Sequence, residues 1–172
     1  AASGRGQSVD VALADAAFCM LPMAVSGIEA GAPPERRGEA HLTGGIPVYN
    51  TYETSDGKYI CIGAIEPKFF NKFCALIGRP DLIPLHFAEG EKKETLKSEM
   101  EKLFISKTRA EWMALLESQD VCVGPVNSLE EALEDPQLVS RGLIVQAPLA
   151  SGKTMRQVGI PFKLSRSSTE KP

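Results

Sequence analysis

An α+β fold is what the 172-residue sequence predicts, and three observations carry that expectation. Short runs rich in β-branched and aromatic residues flank a turn signal in the first half, as strands of a hairpin do. Elsewhere apolar residues recur at three and four positions behind helix-start signals. The chain is also long enough to bury a sizeable core, since a domain of about 150 residues hides roughly 70% of its unfolded surface.

Residues 9–30 read as one long helix, with Val9, Leu13, Ala16, Ala17, Met20, Met23 and Ala24 at helical spacing. Pro22 predicts a kink or break near Phe18, because its ring clashes with the carbonyl four residues back. Apolar residues nearly encircle this segment, so it calls for neighbours on more than one side. Residues 31–45, GAPPERRGEAHLTGG, have the glycine and proline content of a linker. The Glu35-Arg36-Arg37 run within it reads as solvated surface, with contact to a phosphate as the sharper alternative.

Residues 48–54 and a second strand starting at Lys58-Tyr59-Ile60 form a hairpin around Ser55-Asp56-Gly57. The second strand runs through Ile60-Cys61-Ile62-Gly63-Ala64-Ile65 into Glu66-Pro67, and apolar spacing becomes helical beyond it. Proline suits a first helical position, which makes Glu66 the expected N-cap. The helix start favours an ionised carboxylate, and apolar neighbours such as Ile65 and Phe69 favour the neutral acid. An acid so balanced suits proton chemistry; the plainer reading is an acid that only complements the helix dipole.

The helix from Pro67 presents Phe69, Phe70, Phe73 and Ile77 as a core stripe and stops at Gly78. Residues 79–87 read as irregular or a single turn. Residues 91–106 form an amphipathic helix with Leu96, Met100, Leu103 and Phe104 on one face. Thr108-Arg109-Ala110-Glu111 fits a capping box and opens a helix to about Ser118 that buries Trp112, Leu115 and Leu116. Residues 121–123 read as a strand ending at Gly124-Pro125-Val126. Ser128-Leu129-Glu130-Glu131 is a second capping box, and Asp135-Pro136 opens another short helix. Residues 143–147 and 154–158 close a hairpin around Ser151-Gly152, and the tail from Gly159 is extended and then polar.

The formal charge of −3 comes from acids and bases mixed along the chain, so no footprint for nucleic acid or a membrane surface is expected. No run of eighteen apolar residues and no basic-then-apolar leader is seen. The four cysteines, Cys19, Cys61, Cys74 and Cys122, lack metal-ligand spacing and read as buried free thiols in a reducing compartment. A soluble, cytoplasmic protein with no metal is the expectation; the start at Ala1 without methionine leaves the true N-terminus open.

Ser151-Gly152-Lys153-Thr154 fails as a phosphate loop, because the required first glycine falls on Ala147 and no helix pattern follows. His41 and His86 have neither metal spacing nor a triad context, and read as structural or exposed. Glu66 is left as the one candidate with local context. One carboxylate cannot both remove a proton and return one to the opposite face.

Several short strings then coincide. Gly4-Arg5-Gly6-Gln7, Gly78-Arg79-Pro80-Asp81, Thr108-Arg109-Ala110-Glu111-Trp112, Gly124-Pro125-Val126, Asp135-Pro136-Gln137, Arg141-Gly142 and Pro161-Phe162-Lys163-Leu164-Ser165 follow in the order seen in the class III CoA-transferase (CaiB/BaiF-like) family. That family includes α-methylacyl-CoA racemases, and Gly63-Ala64-Ile65-Glu66-Pro67 resembles the racemase branch, as does the stretch from Pro47-Val48-Tyr49 to Asp56-Gly57. The resemblance implies that Glu66 supports a catalytic histidine not present in this chain, while an aspartate works from the other side of the α-carbon. It also implies an acyl-CoA substrate with coenzyme A as part of the substrate and no separate cofactor, a place in lipid metabolism, and an interlocked homodimer.

Members are roughly twice this long, and their CoA-binding half has no counterpart here. The expected organisation is therefore a large-domain helix at 1–30, a linker at 31–46, a small domain at 47–147, and a closing hairpin strand with an extended tail at 148–172. The activity implied is racemisation of 2-methylacyl-CoA, with this portion inactive alone. The alternatives are CoA transfer between carboxylic acids and a non-catalytic binding or interaction module.

Overall fold

The computed structural model of the protein describes residue 4 and residues 6–33 and 36–163. Expectations resting on Arg5, Glu35, Leu164, Ser165 and the polar tail lie outside the described residues. The fold is α+β, as the sequence predicts. It is built on a three-stranded antiparallel sheet of β1 (Tyr49–Glu53), β2 (Tyr59–Gly63) and β3 (Val123–Val126) in that order.

Tyr52 pairs with Ile60 and Ile62 with Val123, so one face collects Tyr52, Ile60 and Ile62. All three are at most 3% exposed. The opposite face carries Tyr49, Thr51, Tyr59 and Cys61, as the two-residue strand period requires. Pro125 is accommodated because β3 is an edge strand.

Helices α3 (Pro67–Leu76), α4 (Glu91–Phe104) and α5 (Arg109–Leu116), with a 3₁₀ turn at Pro80–Leu85, supply the rest of the core. Phe70, Phe73, Leu82, Leu96, Met100, Phe104, Trp112 and Leu116 join the inner sheet residues in one cluster. Phe104 is its hub, stacked on Tyr52 at 5.1 Å and on Phe73 at 5.9 Å and met edge-on by Trp112 at 5.4 Å. Tyr52 donates its buried hydroxyl to Pro47 O at 2.7 Å, and burial raises its pKa.

Both capping boxes form. Thr108 and Glu111 cap α5, and Ser128 and Glu131 cap α6 (Leu129–Ala132). Asp135 caps α7 (Pro136–Ser140) through Gln137 N and Leu138 N. Glu131 does more: its carboxylate takes Arg109 at 2.6 Å and Lys58 at 2.7 Å, tying α6 to α5 and to the turn before β2. A separate hairpin, β4 (Ile144–Pro148) with β5 (Thr154–Val158), closes the described chain.

Several expectations need correction. The break expected near Phe18 is present, dividing the segment into α1 (Leu13–Phe18) and α2 (Pro22–Glu29) with Pro22 in the first turn of the second, but the first helix starts at Leu13 rather than Val9. Neither buries a residue, and Leu13 is 90% exposed. The strand expected at 121–123 begins where it was expected to end, since left-handed Asp120 and Cys122 (both φ 53) interrupt the extended backbone first. Leu115 faces outward, while Trp112 and Leu116 are buried and Met113 packs beside them against the core. Of the thiols only Cys74 is buried; Cys61 is half-buried, and Cys19 and Cys122 are exposed. No helix among the described residues is long and apolar enough to cross a membrane.

Candidate functional site

The strand-to-helix junction is built as the sequence predicts. Ala64, fully buried, donates its N–H to Val48 O at 2.9 Å and so extends the pairing one step past β2. Glu66 then takes an extended backbone (φ −74, ψ 133) at the N-cap position, with Pro67 in the first turn. Its carbonyl accepts from Phe69 N at 3.0 Å and Phe70 N at 3.4 Å.

Its side chain behaves differently from those of Asp135 and Glu111. Asp135 and Glu111 close hydrogen bonds onto backbone N–H groups at their helix starts. The Glu66 carboxylate makes no such bond and stands exposed. Ile65 and Phe69 therefore do not close over it: both are half-buried, and Phe69 is covered by Lys68, whose Nζ lies 4.4 Å from its ring centre.

Across the junction lies the segment that sequence reasoning missed. Asp120 and Cys122 both have φ 53, a region that few non-glycine residues adopt and that collects at functional sites. Only the tolerance of aspartate for this conformation hinted at it. Cys122 O accepts from Gly63 N at 2.8 Å, which fixes the segment beside the end of β2. Burial, then the negative charges of Glu66 and Asp120, push the Cys122 thiol above its ordinary range, with Lys68 acting the other way. Glu66, Asp120, Lys68 and Cys122 therefore form one electrostatic neighbourhood.

Cys122 also lines a cavity of about 440 Å³ over the outer face of the sheet, shared with Leu42, Thr43, Tyr49, Thr51 and Cys61. Thr51, Cys61 and Gly63, small residues on this face, leave room for it beside the Tyr49 ring. At Gly63 an added Cβ would meet the Tyr49 ring at 3.6 Å and Cys122 O at 3.8 Å, so even a methyl would fill part of the space. A second cavity of about 330 Å³ lies between the linker and α4, where Lys93 and Lys97 face Glu39 and Glu94. Its charges offset one another.

The two histidines are placed as their sequence context predicts. His41 is exposed in the linker. His86 is 8% exposed and binds Ala64 O through Nε2 at 2.9 Å. The ring nitrogen Nε2 of His86 is thus engaged by a backbone carbonyl rather than by Glu66. Ser151-Gly152 is a turn between β4 and β5, as expected. Chemically, the junction offers an exposed Glu66 carboxylate without a hydrogen bond, three residues beyond Gly63, which lines the cavity.

The profile of CoA-transferase family III matches residues 1–172. An α-methylacyl-CoA racemase of Mus musculus is 33% identical over 132 residues, which are 76% of this chain and 34% of that protein. A succinyl-CoA:glutarate CoA-transferase of the same organism is 27% identical, with 96% of this chain and 38% of that protein covered. Among solved structures, Rv3272 from M. tuberculosis superposes with a TM-score of 0.72 at 24% identity, covering 98% of this chain and 44% of that one. The chain thus spans little more than a third of the length of the curated relatives it matches.

Proposed function

The chain belongs to CoA-transferase family III, and from that premise we propose that it serves an acyl-CoA enzyme that racemises the α-carbon of 2-methylacyl-CoA thioesters. Glu66 is its contribution to the chemistry, orienting and charging a histidine supplied by polypeptide outside this chain. The observation that supports this reading is the unbonded Glu66 carboxylate, held at an N-cap position that its side chain does not use for capping.

The chemistry follows from the groups. A base removes the proton α to the thioester carbonyl, and the electron pair moves into an enolate whose oxygen needs hydrogen-bond donors. A second acid on the opposite face returns a proton to the same carbon. A carboxylate that accepts from one imidazole nitrogen fixes the tautomer and raises the basicity of the other nitrogen. Glu66 is suited to that task, and the cavity of about 440 Å³ lined by Gly63 and Cys122 gives room on the same end of the sheet for part of a ligand.

We assign α1 and α2 to the same larger assembly. Leu13, Phe18, Met20 and Met23 are 90%, 64%, 81% and 78% exposed, and other residues of the enzyme or a second, interlocked copy would cover them.

CoA transfer between carboxylic acids is the second reading, supported by the breadth of the match to the transferase relative. One incubation separates the two. The intact enzyme, given an optically pure 2-methylacyl-CoA and an excess of a different free carboxylic acid, is expected to scramble the α-centre and form no new thioester. A new thioester with retained configuration overturns racemisation. In the same enzyme Glu66→Gln is expected to lower kcat by at least about 10-fold with KM within about twofold, because the amide no longer orients and charges the working imidazole. Unchanged turnover returns Glu66 to a dipole-complementing role.

A further inference from the structure

The 3₁₀ turn at Pro80–Leu85 ends on His86, and that turn is firmly held. Arg79 grips Asp81 through Nε and NH2 and reaches Glu99 of α4 at 2.9 Å, while Leu82 is 1% exposed. His86 N donates to Ile83 O at 3.2 Å, which fixes the backbone from which the imidazole projects.

The ring lies against Phe70 (centroids 4.7 Å apart, planes at 14°) and Phe87 (4.0 Å, 32°), and Nε2 meets Ala64 O at 2.9 Å. Ala64 stands two residues before Glu66, and Phe70 stands four residues after it. One imidazole therefore grips both flanks of the acid: the end of the strand by a hydrogen bond and the first turn of α3 by stacking. Because Ala64 is fully buried, its carbonyl would lose its partner without a donor at this point, and a buried acceptor left alone drives the local backbone to shift.

We propose that His86 is the positioning residue for Glu66, acting through the Ala64 carbonyl to hold the carboxylate at the height where a partner imidazole meets it. This rests on the reading of Glu66 given above. It also assigns a proton to Nε2, which must donate because a carbonyl can only accept. His86 is thereby committed to the scaffold and is not itself the acid or base.

The test uses three variants of the intact enzyme, read as exchange of the substrate α-proton in heavy water. His86→Phe keeps a flat ring against Phe70 and Phe87 but removes the donor, and kcat is expected to fall about tenfold with KM within about twofold, as the loss of one positioning hydrogen bond would give. His86→Gln, whose amide restores a donor, is expected to regain most of that loss. Adding His86→Phe to Glu66→Gln is expected to cost little beyond Glu66→Gln alone, because residues acting through one group are not additive.

Unchanged turnover in Glu66→Gln overturns the reading of Glu66 itself. A normal His86→Phe beside an impaired Glu66→Gln overturns only the positioning role. So does a His86→Gln as poor as His86→Phe, or a double variant in which the two losses multiply, since either marks general packing. Should His86→Phe fail to fold, ¹⁵N NMR of the unaltered protein decides: a proton-bearing Nε2 supports the assignment, and an unprotonated Nε2 overturns it.

Discussion

Replacing Trp112 with phenylalanine tests how the helical layer supports the sheet that carries Glu66. The indole is 1% exposed, and its Nε1–H donates to Phe104 O at 2.9 Å, at the last residue of α4. The variant leaves that carbonyl without its donor in a buried setting, at about 1–3 kcal/mol. The smaller ring leaves a void beside Phe104 that adds about 1 kcal/mol, and the edge-on contact with Phe104 is partly kept. The sum is about 2–4 kcal/mol. Urea unfolding is best followed by far-UV circular dichroism, because Trp112 is the only tryptophan in the chain. With a slope of about 2 kcal/mol per molar urea, the midpoint is expected to drop by about 1–2 M with the slope unchanged. A midpoint within about 0.3 M of the parent would mean that α4 and α5 do not depend on this bond, and that the reasoning is wrong.

Three further perturbations follow from the same geometry. A methyl at Gly45 would overlap the backbone carbonyls of Glu39 and Ala40, so Gly45→Ala is expected to cost about 1–3 kcal/mol and to speed hydrogen exchange at the Thr43 and Gly45 amides that bond Ala40 O; unchanged exchange contradicts it. Burial pushes the Cys74 thiol up to about 11 and raises Tyr52 as well. The folded state therefore holds these protons longer than the unfolded chain, so their stability contribution is complete below about pH 8.5 and is lost as pH climbs towards 11. A flat urea midpoint from pH 8 to 11 refutes this. At the acid end, hydrogen bonds from Arg109 and Lys58 hold Glu131 at about 2. Its contribution is present above the ordinary carboxylate range and fades as pH falls towards 2, and Glu131→Gln is expected to flatten that limb.

The parts of the fold legible in the sequence were those set by local chemistry. Pro67 after an apolar run marked the junction, Thr108-x-x-Glu111 and Ser128-x-x-Glu131 marked two helix starts, and Asp56-Gly57 marked the hairpin turn. What escaped was set by tertiary contact. The left-handed Asp120 and Cys122 are held by a strand about 60 residues away, through Cys122 O and Gly63 N, and no local pattern encodes that bond. The start of α1 at Leu13 rather than Val9 escaped as well, although Pro22 had marked the break near Phe18 that separates α1 from α2.

The candidate site divides in the same way. Glu66 was singled out by its place between strand and helix, and its N-cap backbone is as expected. Its freedom from capping bonds and its electrostatic influence on Cys122 depend on side-chain packing. His86 read correctly as structural, but its grip on Ala64 and Phe70 joins elements about 20 residues apart and has no signature in spacing.

The central claim is that Glu66 works only with an imidazole from outside this chain. The most direct measurement is incorporation of deuterium at the α-carbon of a 2-methylacyl-CoA in heavy water, with the purified 172-residue chain as sole catalyst. Uptake no faster than in buffer is the predicted result, and clear catalysed uptake by the chain alone would contradict the account.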